Sequence, residues 1–327
     1  MSADVTILGA GVCGLAVAAA LQTRGANVAL VDPAGSPGKH ACSWWSGGML
    51  APECEGLSAE PEVVRQGRLA ADWWAHKGAE VQREGTLVVA LGRDQSELKT
   101  FARRVPGTDW LDKAGVAEKE PQLADSYSKA LFVSDEAHLD PRATLQNLFE
   151  RLTSVGAKFS SGTEPTEGQI IDCRGLAARD ALPDLRGVKG EMLVVRCKDV
   201  ELRRPVRLLH PRFPLYIVPR GDGVFMLGAT QIESGDRSRP ALRSVSELIN
   251  AAYALHPAFG EAELLEIGVD ARPAFPDNQP RIRHAQDRIY VNGLFRHGFL
   301  LAPALAEMTA DLVTNGITPE VWYEDHR

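Results

Sequence analysis

Apolar residues along this chain fall into short runs broken by glycine and charged turns, not into one long heptad or one strict alternation. Val5-Thr6-Ile7-Leu8 is such a run, Gly14 to Thr23 has helical composition, and Val28-Ala29-Leu30-Val31 is a second run. Strand, helix and strand within about 30 residues make one βαβ unit. Leu145, Leu148, Phe149 and Leu152 recur at helical spacing and predict a helix over 143–155, started by Asp140-Pro141-Arg142. Between these, Val63, Val64, Ala70, Trp73 and Trp74 predict a helix whose tryptophan pair lies in the core, followed by a strand over 86–91. Ile170-Ile171-Asp172 reads as a short parallel strand returning to the first sheet.

From Gly187 the texture changes to strands, over 192–196, 215–219 and 224–228, the last two joined at Arg220-Gly221-Asp222-Gly223 as a hairpin. Ser244 and Glu247 have capping-box spacing ahead of a helix with Leu248, Ile249, Ala252 and Leu255. A strand over 289–291 and a helix over 302–313 restore the α/β pattern. The expected fold class is therefore α/β: a Rossmann-like nucleotide domain with an interleaved α+β domain built on a mainly antiparallel sheet. The expected division gives 1–80, 130–184 and 266–327 to the first domain, and 81–129 and 185–265 to the second.

Composition adds limits. The 327 residues are 44% hydrophobic and 24% charged, which excludes a disordered or collagen-like chain and allows about two domains. A formal charge of -7 argues against a nucleic-acid partner. The five cysteines, at 13, 42, 54, 173 and 197, have no CxxC spacing, so no metal site is expected and the thiols read as reduced and mostly buried in a cytoplasmic protein. The apolar N-terminal stretch is interrupted by three glycines and preceded by Asp4, unlike a signal peptide. No later window reaches about 18 apolar residues, so no membrane partner is expected.

Gly9-Ala10-Gly11-Val12-Cys13-Gly14 is G-x-G-x-x-G after a strand and opening a helix, the context that motif requires. Gly9 serves the tight turn, Gly11 the approach of a pyrophosphate to the backbone, and Gly14 the packing of helix on strand. The phosphates would meet the helix N-terminus, and Asp32 at the end of the second strand would accept from ribose hydroxyls. This fingerprint alone leaves FAD and NAD both open.

Further blocks carry a resemblance: Ser43-Trp44-Trp45-Ser46-Gly47-Gly48-Met49-Leu50-Ala51-Pro52; Tyr216-Ile217-Val218-Pro219-Arg220; Leu227-Gly228-Ala229-Thr230 with Glu233 and Gly235; Arg272-Pro273 with Asp277; and Gly293-Leu294-Phe295-Arg296-His297-Gly298-Phe299-Leu300-Leu301-Ala302-Pro303. In this order they resemble the D-amino-acid oxidase family, on its glycine-oxidase branch. The resemblance implies non-covalent FAD, held by Gly9, Gly11, Gly14, Asp32, Ser43, Gly47, Gly48, Met49, Gly175, Arg296, Gly298, Leu300 and Leu301. It implies that Arg272 and Tyr216 bind a substrate carboxylate and that Arg296 lies beside the flavin. The implied reaction oxidises glycine or a similarly small amine by hydride transfer to flavin N5, with O2 reoxidising the flavin to give H2O2, in the service of thiazole synthesis. A same-fold dehydrogenase with another electron acceptor would leave every motif unchanged. Association into a homo-oligomer is implied only by the habit of the relatives. Two departures concern the substrate end: Gln231 stands where glycine oxidases often have Met, and His297 where Asn is common. A third is the short stretch from Gly156 to Gly168, which is expected to reduce the layer covering the nucleotide half.

Overall fold

The computed structural model describes residues 4–163, 168–210 and 214–326. The first unit forms as the pattern predicts: β1 (Val5–Leu8), α1 (Val12–Thr23) and β2 (Val28–Asp32), with β1 and β2 paired in parallel. Every residue of α1 from Val12 to Leu21 is buried. A helix apolar on all sides must be covered on all sides; here the sheet lies on one side and the C-terminal helix (Gly298–Asn315) on another. The strand Gln169–Asp172 returns to pair in parallel with β1, and Arg288–Asn292 pairs in parallel with it in turn. Lys158–Ser161 pairs directly with β2 and ends the seven-stranded sheet on that side.

The second sheet has eight strands, antiparallel except where Val206–Leu209 runs parallel to Thr86–Ala90. The expected hairpin is present: Leu215–Pro219 pairs antiparallel with Val224–Gly228, with Asp222 and Gly223 both at positive φ in the turn. The strand expected over 192–196 is longer, Arg186–Arg196, because it pairs along its whole length with Glu263–Ala274, broken only by an irregularity at Val194/Val195. That pairing and the strand Lys129–Val133 carry the larger sheet across residues 266 and 130, where the sequence places domain borders.

Three elements differ from the pattern-based reading. The helix expected around Val63 to Trp74 is two helices, Pro61–Gly67 and Ala70–His76. Gly67 lies so close to the C-terminal helix that a Cβ there would be 2.8 Å from Leu300 Cγ. The capping box does not form: the helix begins at Leu242, Ser244 is buried inside its first turn, and the Ala241 N–H donates to the Glu191 carboxylate at 2.8 Å. Finally, the C-terminal helix begins at Gly298, not at 302, so Pro303 sits inside it. Proline cannot donate to the carbonyl four residues back. The Phe299 carbonyl accepts instead from the fully buried Trp74 indole at 2.7 Å.

All five cysteines are free thiols; Cys42 is half-buried and the rest are buried. Among the described residues no helix is long and apolar enough to cross a membrane.

Candidate active site

A cleft of about 1120 Å3 runs from the β1–α1 turn to the inner face of the eight-stranded sheet. At its first end the glycines are dictated by close approach. Gly9 has φ +97°, and a Cβ there would meet the Cys173 carbonyl at 2.8 Å; a Cβ on Gly14 would lie 1.9 Å from the Gly9 carbonyl oxygen. Gly11 is the N-cap of α1 and supplies no side chain to fill the helix end, while the Ser43 hydroxyl accepts from the Val12 N–H at 3.3 Å. Asp32 is buried at the end of β2, where its carboxylate accepts from the Ala10 N–H at 2.9 Å and meets His40 Nε2 at 2.9 Å. An open, glycine-lined helix N-terminus with a carboxylate beside it fits the pyrophosphate and ribose of a dinucleotide. Gly175, at φ +58°, also lines this end.

The middle of the cleft is walled by Gly47, Gly48 and Met49. Gly48 has φ +67°, and a Cβ there would reach the Leu139 carbonyl oxygen at 2.2 Å. This loop is fastened by a residue the sequence reading did not place in the site, Arg220, which donates to the carbonyls of Gly47 at 2.8 Å, Leu139 at 3.0 Å and Ser46 at 3.3 Å. Burial pushes the Arg220 guanidinium down to about 10, so it remains a cation at neutral pH.

At the sheet end, strand register decides what faces the cleft. Arg207 pairs with Tyr216, and Tyr216 with Gly228, so the three lie side by side in one row. Gly47 and Gly228 leave the space the Tyr216 ring occupies: a Cβ on either would come within 2.9 Å of it. Burial raises the Tyr216 phenol above its ordinary range, so it is a hydrogen-bond donor. Arg272 lies over Gly190, donates to the Thr230 carbonyl at 3.1 Å, and has no acidic partner among the described residues.

Arg296 also lines the cleft, but its guanidinium meets Glu55 at 2.8 Å and the Ser58 hydroxyl at 2.7 Å. Glu55 accepts as well from Arg207 at 2.6 Å and lies 3.0 Å from His297 Nε2. Burial opposes its charge, yet Arg296, Arg207 and His297 together hold its carboxyl well below the usual range. Sequence reasoning missed both Glu55 and Arg207. A signal existed for the second, a lone charge between the apolar Val206 and Leu208 of a strand.

Of the remaining expected residues, Gly298 and Leu300 line the cleft. Gly14 and Leu301 do not: Gly14 lies under the turn, and Leu301 is fully buried in the core between α1 and the C-terminal helix.

Comparison with known proteins agrees with this geometry. A model of the family described as "FAD dependent oxidoreductase", DAO, matches residues 4–312. The chain is 51% identical to "Putative thiamine biosynthesis oxidoreductase ThiO" of Rhizobium etli, over 97% of this chain and 98% of that one. It is 28% identical to the glycine oxidase of Bacillus licheniformis, over 98% and 95% of the two chains. The crystal structure of glycine oxidase from Geobacillus kaustophilus superposes with a TM-score of 0.80, covering 98% of this chain and 96% of that one at 23% identity.

Proposed function

Because the chain belongs to the FAD-dependent oxidoreductase family DAO and is an enzyme of the ThiO and glycine oxidase type, we propose that it oxidises glycine or a similarly small amino acid or amine to the imine. The observation that carries the substrate class is Arg272, a guanidinium without an acidic partner among the described residues, in the cleft that holds the nucleotide turn. A planar guanidinium donates two parallel bonds to a carboxylate. Tyr216, kept protonated by burial and locked between two glycines, adds a donor to the same carboxylate.

Bound non-covalently, FAD would supply the hydride acceptor, with O2 as the final electron acceptor and H2O2 as the second product. The protein's part is binding and orientation. Gly9, Gly11 and the N-terminus of α1 would hold the pyrophosphate, and Asp32 the ribose. Ser43 and the loop from Gly47 to Met49 would border the flavin, with Gly175, Arg296, Gly298 and Leu300; Gly14 and Leu301 would act from beneath by packing. The likeness to a thiamine biosynthesis oxidoreductase supports use of the imine in thiazole synthesis. We place the reaction between a nucleotide domain and a substrate domain that share an interrupted chain.

Anaerobic titration of the purified protein with glycine, sarcosine and short D-amino acids, followed by flavin bleaching, tests this reading. Bleaching by at least one of them is expected, and an oxygen electrode then separates O2 from another acceptor. Protein that binds no flavin, or flavin that none of these amines bleaches, would overturn it.

A further inference from the structure

Among the side chains that line the cleft, Arg207 and Arg296 share one carboxylate, Glu55, while Asp270, two positions from Arg272 on its strand, pairs with Arg237. Arg272 is left for a ligand. The first pair is joined through Glu55: Arg207 on its Oε1 and Arg296 on its Oε2, with His297 on the same oxygen. Glu55 comes from the short helix Pro52–Glu55, whereas Arg207 comes from the sheet row that holds Tyr216. Arg207 neighbours Tyr216 in the strand register, and both line the cleft with Arg272, Glu55 and Arg296. Arg207 Nε is buried without a hydrogen-bond partner, so this guanidinium has a further bond to give a carboxylate once Glu55 no longer neutralises it.

We propose that Glu55 is a specificity-determining residue that limits the site to substrates with one carboxylate. It occupies the two guanidinia that could receive a second substrate carboxylate, and it sets a fixed negative charge where that carboxylate would have to approach. Amino acids with one carboxylate and a small side chain meet only Arg272 and Tyr216. For an aminodicarboxylate, Glu55 offsets the attraction that Arg207 and Arg296 would otherwise exert on the second carboxylate. The inference rests on the reading of Arg272 as carboxylate anchor.

The test measures dissociation constants of acetate and malonate from their perturbation of the flavin spectrum in the FAD-loaded protein, for wild type, Glu55→Gln and Glu55→Gln/Arg207→Gln. Wild type is expected to prefer acetate. Glu55→Gln should shift the malonate-to-acetate affinity ratio toward malonate by about tenfold or more, the effect of removing one close like charge. The double variant should lose most of that shift. A ratio unchanged in Glu55→Gln, or a gain that survives removal of Arg207, overturns the proposal, since a merely structural tie would weaken both ligands alike. Should Glu55→Gln fail to load FAD, wild type decides: malonate binding as tightly as acetate overturns the proposal. Arg272→Leu separates the two readings. Acetate affinity unchanged in that variant refutes the carboxylate anchor, whatever Glu55→Gln does.

Discussion

Replacing Gly190 with alanine displaces the proposed carboxylate anchor without removing its charge. A Cβ at this position would lie 2.4 Å from Arg272 Nη2 and 2.5 Å from its Cζ and Nη1. Ordinary contact begins near 3.4 Å, so the guanidinium must retreat by about 1 Å. Gly190 lies in the middle of a paired strand without a positive φ, and the atoms it would strike are the far end of a flexible side chain. The fold therefore accommodates alanine while the anchor does not. Losing one well-formed hydrogen bond to a charged group costs about 1.5–3 kcal/mol, roughly 10- to 150-fold in affinity. Glycine and acetate should both bind Gly190→Ala weaker by that factor in anaerobic flavin titrations, with FAD content and thermal midpoint near wild type. Acetate binding within about twofold of wild type would refute the assignment of Arg272, because no comparable displacement leaves a bidentate contact intact.

Trp74→Phe leaves the Phe299 carbonyl without its donor beside Pro303, and should lower unfolding free energy by about 1–3 kcal/mol in urea titrations; an unchanged midpoint would show that another group satisfies this carbonyl. His138 is buried, and burial with the nearby Arg220 and Arg204 charges pushes its imidazole down to about 4. The unfolded chain then binds more protons between about pH 6.5 and 4, so His138 costs up to about 3 kcal/mol of stability as pH falls through that window, and a His138→Gln variant should show a flatter decline in urea melts at pH 7 and pH 5. Arg220→Met removes the contacts to the Ser46 and Gly47 carbonyls and to that of Leu139 behind them, and should weaken FAD retention on dialysis more than it lowers the affinity of acetate for the protein still loaded; equal losses would place Arg220 in substrate binding instead.

What the sequence shows of this molecule is what local physics determines. The β1–α1 glycines are legible because each has a steric task within a few residues of chain, and the hairpin after Tyr216 is legible because Asp222 and Gly223 tolerate the positive φ its turn requires. The misread boundaries have remote causes. The start of the helix at Leu242 is held by Glu191, 50 residues from Ala241, from whose N–H it accepts, so the nearby Ser244 and Glu247 mislead. Pro303 looks like a helix start, and is tolerated inside one because an indole 225 positions from Phe299 replaces the missing donor. The site divides in the same way. Arg272 and Tyr216 stand in motifs legible along the chain, whereas the meeting of Glu55 and Arg207 depends on which strands pair and on where a four-residue helix meets them. Arg296 shows the consequence: the motif places it at the flavin, but its partners in the structure are Glu55 and Ser58. Its charge is therefore shared with a neighbour that no spacing in the chain announces. Only the register Arg207↔Tyr216 brings the same neighbour, through Arg207, beside Tyr216, a proposed donor to the carboxylate.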